Sequence, residues 1–354
     1  INKLKNENNE VTTNQEQILK MIKNYYKILY TTTAPDKDLL HKYVGDTVME
    51  REINVNDFKV CDGEVTIDEC TKAINTMKLN KSPGLDGFTL EFYKTFWEKL
   101  KTMLVKVLNK GHEEKLLSYT QRTGVLTLLF KKNDPLSLDN YRPISLLNVD
   151  LKILSHVLAQ RLKKLLPKLI NEDQTGYVKN RFIGFNLRQI QDIMDYAESN
   201  GIDGAIIFVD FTKAFDSLEW EFMLSVLKHF GFNESFISWV ETLYKGIQTC
   251  VINNGWVSKI FENSRGIRQG CPLSALLFVL SVEIMAERLR QTSDIKGFRV
   301  TIDNKTHSIK ISQLADDTTL FCSSKSDISK AMNIIETFGS FSGLKLNRNK
   351  TEGI

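Results

Sequence analysis

Apolar and polar positions follow two rhythms along this chain, and each predicts its own kind of element. Helical spacing marks Gln15 to Leu29, Thr89 to Asn109, Val149 to Ile170, Phe185 to Glu198, Leu218 to Phe230, Glu234 to Lys245, the stretch from Pro272 to Arg290, and Ser326 to Phe341. Thr66 followed by Glu69 has the spacing of a capping box and predicts a helix as far as Met77. Short apolar runs bounded by turn formers predict strands over Thr123 to Phe130 and Ala205 to Val209, and a hairpin of Thr249 to Asn253 with Trp256 to Phe261 turned by Asn254-Gly255. Two more strands flank Asp316-Asp317. Strand, helix, strand pair, helix is the order of a split βαβ sheet, so the fold class is α+β. Residues 1 to about 60 are polar apart from one amphipathic stretch and read as an extension or linker.

Two of the apolar runs carry charge where a buried element should have none. Leu314-Ala315 leads into Asp316-Asp317, and Thr318-Thr319-Leu320-Phe321-Cys322 resumes the run. Ala205 to Val209 reads as a buried strand and ends on Asp210. Ionised groups about 4 Å apart repel by roughly 4 kcal/mol at an effective dielectric near 20, so a fold that keeps them together usually supplies a cation. Carboxylate oxygens suit Mg²⁺, which completes its octahedron with water and substrate phosphates. Each motif alone also has an ordinary reading, a surface turn for the pair and a cap for Asp210.

Composition narrows the function classes. The 354 residues are 42% apolar, enough for a sizeable core, and their formal net charge is only +4. Locally the balance is stronger: Arg122 to Lys168 holds nine Lys or Arg and three Asp, a segment net of +6, which favours a polyanion nearby. Five scattered cysteines with no CxxC pair argue against a disulfide framework and against a zinc site. No apolar run is long enough to cross a bilayer, so no membrane partner is expected.

Phe208-Val209-Asp210-Phe211-Thr212-Lys213-Ala214-Phe215-Asp216, then Gly266-Ile267-Arg268-Gln269-Gly270-Cys271-Pro272-Leu273-Ser274, then Ala315-Asp316-Asp317, resemble the ordered signatures of reverse transcriptases, most closely those of non-LTR (LINE-type) retrotransposons. Lys81-Ser82-Pro83-Gly84-Leu85-Asp86-Gly87-Phe88, Tyr141-Arg142-Pro143-Ile144-Ser145-Leu146 and Asp173-Gln174-Thr175-Gly176-Tyr177 match the same pattern in the same order. The resemblance implies a right-hand polymerase, fingers and palm, the palm sheet RRM-like, with the thumb outside this chain. It apportions the chain as an extension over 1–60, fingers over 61–185, palm over 186–217, a fingers insertion over 218–265, and palm again over 266–354.

Carried over residue by residue, Asp210 and Asp316 resemble the metal-holding carboxylates, Asp317 the supporting third, and the Phe211 carbonyl a further metal ligand. Phe215 is similar to the bulky gate that excludes a ribose 2′-hydroxyl, with core packing as its rival. Asp216 is expected to cap the helix that follows. Lys131, Lys132 and Arg142 lie where cations grip the incoming triphosphate, Arg as a fork and Lys as a point charge. Gln269 and Gly270 resemble the turn that touches the nascent base pair, where a missing side chain admits the template backbone. Gly343-Leu344-Lys345-Leu346-Asn347 with Lys350 looks like the next motif, and makes Lys350 a candidate general acid.

The implied activity is RNA-directed DNA polymerisation with two Mg²⁺ ions, Mn²⁺ being a substitute. It takes dNTPs, an RNA template and a DNA primer, which in the family setting is nicked target DNA. The implied location is the nucleus and cytoplasmic ribonucleoprotein. Two rivals stand beside this reading: a noncatalytic RNA-binding relic of a retroelement, and an intron-maturase type of reverse transcriptase.

Overall fold

In the computed structural model, which describes residues 1–6, 8–51 and 54–354, the helix Gln15–Leu29 and the strands Thr123–Phe130 and Ala205–Val209 form at their expected bounds. The Asn14 side chain caps the first of these by accepting from the Gln17 N–H at 3.0 Å. Thr66 and Glu69 close the capping box of the helix Ile67–Thr76. The stretch expected as one helix from Val149 to Ile170 instead forms two, Val149–Lys163 and Leu166–Leu169, with Pro167 in the first turn of the second. Proline fixes φ and has no N–H to donate to a preceding turn, so the helix restarts there. The hairpin turns at Asn254 and Gly255, both at positive φ as a type I′ turn requires. Its second arm is two short strands, Trp256–Val257 and Phe261–Glu262, both paired with Gln248–Asn253.

The protein is a mixed α/β chain with several small sheets, and it divides into two units. The first comprises residues 1–32, 61–161 and 233–274. Its sheet runs Tyr141–Leu146, Thr123–Phe130, Gln248–Asn253, Trp256–Val257, with the central two parallel and Val125 opposite Cys250. Ile18, Ile22 and Tyr26 of the first helix are fully buried against Leu126, Val251 and Phe261 of this sheet. The segment expected as an extension or linker therefore supplies part of a core. Its polar composition reflects one solvent-facing side of an amphipathic helix.

The second unit comprises residues 33–60, 162–232 and 275–354. Its principal sheet is antiparallel throughout, in the order Ile311–Leu314, Asp317–Cys322, Ala205–Val209, Glu352–Gly353. Ile206 and Phe321 meet Ile193 of the helix Ile183–Asn200 and Phe298 in one buried cluster. The strand Ala205–Val209 is not wholly buried as its run of apolar residues suggests, since Phe208 is 36% exposed. Phe208 shares a face with Ile206, two residues before it, so the packed face of this strand is covered at Ile206 and open at Phe208.

Among the described residues no helix is long and apolar enough to cross a membrane. All five cysteines are free thiols.

Candidate active site

The register of the second unit's sheet brings the two acidic motifs to one end of a strand pair. Val209 lies opposite Thr318, so one residue further along the facing positions are Asp210 and Asp317. Facing residues of antiparallel strands stand roughly 4.5–5.5 Å apart at Cα. Leu314 pairs with Asp317, which leaves Ala315 and Asp316 as the two residues of a tight turn. Asp210 and Asp316, 106 positions apart in sequence, thus flank the same strand ends, both half-buried, with Asp317 exposed beside them.

Backbone geometry at this turn is not relaxed. Ala315 has φ 57°, a left-handed conformation that costs a residue with a Cβ on the order of 1–3 kcal/mol. Contacts from a distant segment hold it: the Ala315 N–H donates to Gln174 Oε1 at 2.8 Å, and Gln174 Nε2 donates to the Ala315 carbonyl at 3.3 Å.

Asp210 has its own support. Asn347 Nδ2 donates to Asp210 Oδ2 at 2.9 Å, and the Asn347 N–H donates to the Asp210 carbonyl at 2.8 Å. Thr351 Oγ1 accepts from the Asp210 N–H at 3.4 Å and itself donates to the Asn347 carbonyl at 2.9 Å. The short strand Phe211–Thr212 pairs with Lys345–Leu346, which fixes Asn347 alongside. Sequence reading gave neither Asn347 nor Gln174 a role. Both sit in quoted motifs, but an uncharged amide carries no signal until its partners are known.

Among the described residues no group of three or more His, Cys, Asp or Glu side chains stands ready to hold a metal ion. The donor set nonetheless fits Mg²⁺. That ion uses one or two carboxylates and fills its remaining positions with water and substrate phosphates, and Asp210 and Asp316 are two hard-oxygen donors on neighbouring strand ends.

Phe215 lies in the short helix Ala214–Ser217, entered through Lys213 at φ 47°. Its ring stacks on Phe278 at 4.4 Å between centroids and 10° between planes, and it remains half-buried. One face is packed while part of the ring stays accessible. Asp216 is buried inside the same short helix and does not cap the next one, Trp220–His229, whose N-cap position is Glu219. Lys350 is exposed, and its N–H donates to the Asn347 carbonyl at 3.1 Å, which places it on the segment that supports Asp210.

The first unit carries the remaining predicted residues. Arg142 is exposed on the strand Tyr141–Leu146, opposite Leu129, and Lys131 and Lys132 are exposed just past the end of Thr123–Phe130. The Ser145 N–H donates to the Gln269 carbonyl at 2.8 Å, docking the Gln269-Gly270 turn on the Arg142 strand. Gly270 has φ 123°, and a Cβ there would stand 2.5 Å from the Ser145 carbonyl oxygen. The missing side chain thus admits the carbonyl of the protein's own strand. The Lys81 to Phe88 loop is likewise held by the protein, since Lys152 Nζ donates to the Ser82 carbonyl at 3.2 Å.

The basic run from Arg122 to Lys168 is less available than its net charge suggests. Arg161 is 4% exposed, binds both Glu69 carboxylate oxygens at 2.7 and 2.8 Å, and donates to the carbonyls of Asp62, Gly63 and Glu64. Arg122 spends its guanidinium on the carbonyls of Leu117 and Gly246, and Lys168 pairs with Asp57.

Acids from motifs so far apart, gathered at the end of two central strands, define a class that comparison with known proteins makes specific. The profile of the family described as Reverse transcriptase (RNA-dependent DNA polymerase) matches residues 130–354, and the chain belongs to that family. Among its relatives, the Transposon TX1 uncharacterized 149 kDa protein of Xenopus laevis is 32% identical over 82% of this chain and 22% of its own length. The Retrovirus-related Pol polyprotein from type-2 retrotransposable element R2DM of Drosophila melanogaster is 28% identical over 77% of this chain and 25% of its own. The RNA-directed DNA polymerase from mobile element jockey of Drosophila funebris is 22% identical over 66% of this chain and 26% of its own. This chain thus spans about a quarter of the curated relatives it matches.

Proposed function

We propose that this chain is the polymerising segment of a non-LTR retrotransposon reverse transcriptase, which adds dNTPs to a primer 3′ end on an RNA template. The observation that carries this reading is the strand register that sets Asp210 beside the Asp316-Asp317 turn in a chain of this family. Residues 61–185 and 218–265 act as fingers, and 186–217 and 266–354 as palm. The palm sheet is of the split βαβ kind.

Asp210, Asp316 and the Phe211 carbonyl would hold two Mg²⁺ ions, with Asp317 adding negative charge beside them. Ions bound there supply Lewis acidity to the primer 3′-hydroxyl and to the leaving oxygen. The chain's own contribution is positioning. Asn347 orients the Asp210 carboxylate, and the hairpin turn presents Asp316. Phe215 limits the sugar, Arg142 with Lys131 and Lys132 neutralises the triphosphate, and Lys350 returns a proton to pyrophosphate. The Gln269-Gly270 turn abuts the nascent pair. In its setting the primer is nicked target DNA.

The test is Mg²⁺-dependent dNTP incorporation on a primed RNA, with Asp316→Asn alongside. Incorporation that Asp316→Asn abolishes, with primer–template affinity kept within about twofold, is the expected result. Retained turnover in Asp316→Asn would remove the assignment.

A further inference from the structure

The turn that presents Asp316 is seated on a segment far away in sequence. Gln174 is 0% exposed, and its side-chain amide addresses three backbone groups. Oε1 accepts from the Gly176 N–H and from the Ala315 N–H, both at 2.8 Å, while Nε2 donates to the Ala315 carbonyl at 3.3 Å. Only this orientation of the amide works, because the flipped one would set an NH₂ against two N–H donors. The Cβ of any other residue at position 176 would collide with the Ala315 nitrogen, so Gly176 brings the two backbones into close approach.

The surrounding residues fix the seat itself. Gln174 and Gln313 form a parallel bridge, in which the Gln313 N–H donates to the Asp173 carbonyl at 2.7 Å and the Thr175 N–H to the Gln313 carbonyl at 2.8 Å. Asp173 is paired with Arg290 at 2.7 Å, and Arg290 also binds the buried carboxylates of Glu283 and Glu287. Asn186 donates to Ser312 Oγ at 2.8 Å and to the Gln313 carbonyl at 3.0 Å. The strand leading into the turn is thus held along its length by residues 173–186.

We infer that Gln174 is a positioning residue for catalysis, which holds Ala315 in its left-handed conformation and so fixes where Asp316 points. The inference rests on the reading of Asp316 as a metal-holding carboxylate. Ala315 at φ 57° would relax toward ordinary backbone angles without a partner on both its N–H and its carbonyl, and Gln174 supplies both. A one-residue displacement of the turn turns a side chain to the opposite face of the hairpin.

Amide hydrogen exchange on the unaltered protein tests the clamp directly. The Ala315 and Gly176 amides should exchange at least about a hundredfold more slowly than in an unstructured peptide; exchange at the unstructured rate overturns the inference. Gln174→Met keeps the volume and removes the hydrogen bonds. It should speed exchange at both amides at least about tenfold while leaving the helix Lys325–Ser342 unchanged. It should also lower kcat per active site by about 10–100-fold and raise the half-saturating Mg²⁺, with KM for primer–template unchanged. Gly176→Ala, which pushes on the same contact from the other side, should give the same signature. A merely structural Gln174 would lower the melting temperature and the active fraction but leave kcat per active site and the Mg²⁺ requirement as they were, and that result overturns the proposal. Asp316→Asn separates the two readings: if it retains turnover, the metal-site assignment fails, whereas a dead Asp316→Asn beside a Gln174→Met with normal kinetics sinks only the clamp.

Discussion

Asn347 Nδ2 lies 2.9 Å from Asp210 Oδ2, and the backbone of the same Asn is bonded to the Asp210 carbonyl, so one residue near the end of the chain fixes both the main chain and the side chain of the acid. A donor on one carboxylate oxygen fixes the rotation of the group and leaves the other oxygen as an acceptor. The arrangement is the carboxylate counterpart of the outer-shell hydrogen bonds that orient metal ligands in general.

Asn347→Ala should therefore lower kcat about 10–100-fold and raise the Mg²⁺ concentration needed for half-maximal extension, with primer–template affinity unchanged. Steady-state extension at graded Mg²⁺, beside a filter-binding isotherm, reads both quantities. An unchanged Mg²⁺ requirement would show that the bond to Asp210 is incidental.

Phe215 stacks on Phe278 through one face of its ring, so truncation has two separable effects. Phe215→Ala should lose the stack, worth about 0.5–1.5 kcal/mol beyond burial, and lower the thermal midpoint. It should also cut the preference for dNTP over rNTP, measured as the ratio of kcat/KM values, at least about tenfold. A variant that is less stable yet equally selective would assign Phe215 to packing alone.

Arg161 stands in the most basic stretch of the sequence but is buried against Glu69 and three backbone carbonyls of the Asp62–Glu64 segment. Removing Arg161 leaves a half-buried carboxylate and three backbone carbonyls without their donor. Arg161→Met should accordingly cost about 3–5 kcal/mol in urea unfolding. If stability is unchanged and only template affinity falls, Arg161 belongs to the nucleic-acid surface instead.

Burial pushes the Glu283 carboxyl up to about 7; Arg290 opposes this, while the nearby Asp173 carboxylate pushes the same way as burial. A folded-state value above the ordinary 4.5 means that the native protein holds a proton which the unfolded chain releases. Stability from this group is fully present below about 4.5 and is lost as pH rises through about 7. The urea midpoint should fall across that window, and Glu283→Gln should flatten the fall. A midpoint equally pH-dependent in Glu283→Gln would assign the titration to another group.

Local rules account for much of what the chain displays. Periodicity and caps set the helix Gln15–Leu29, the capped helix Ile67–Thr76 and the strand Ala205–Val209, because those signals act between residues a few positions apart. The motif order around Asp210, Gln269 and Asp316 indicated the family for the same reason, since each motif is a short run of residue types. The packing of residues 15–29 into a core was not legible, because polar composition is shared by linkers and by amphipathic helices, and only the partner surface of Leu126, Val251 and Phe261 tells them apart. Basic character from Arg122 to Lys168 was legible, but not that Arg161 is consumed internally, since a charge count cannot register burial. Nor could sequence assign Gln174 or Asn347. Their work is done through hydrogen bonds to backbone and carboxylate atoms more than 130 positions away, and hydrogen bonds of that reach exist only once strand register has brought the atoms within 3 Å or so of each other.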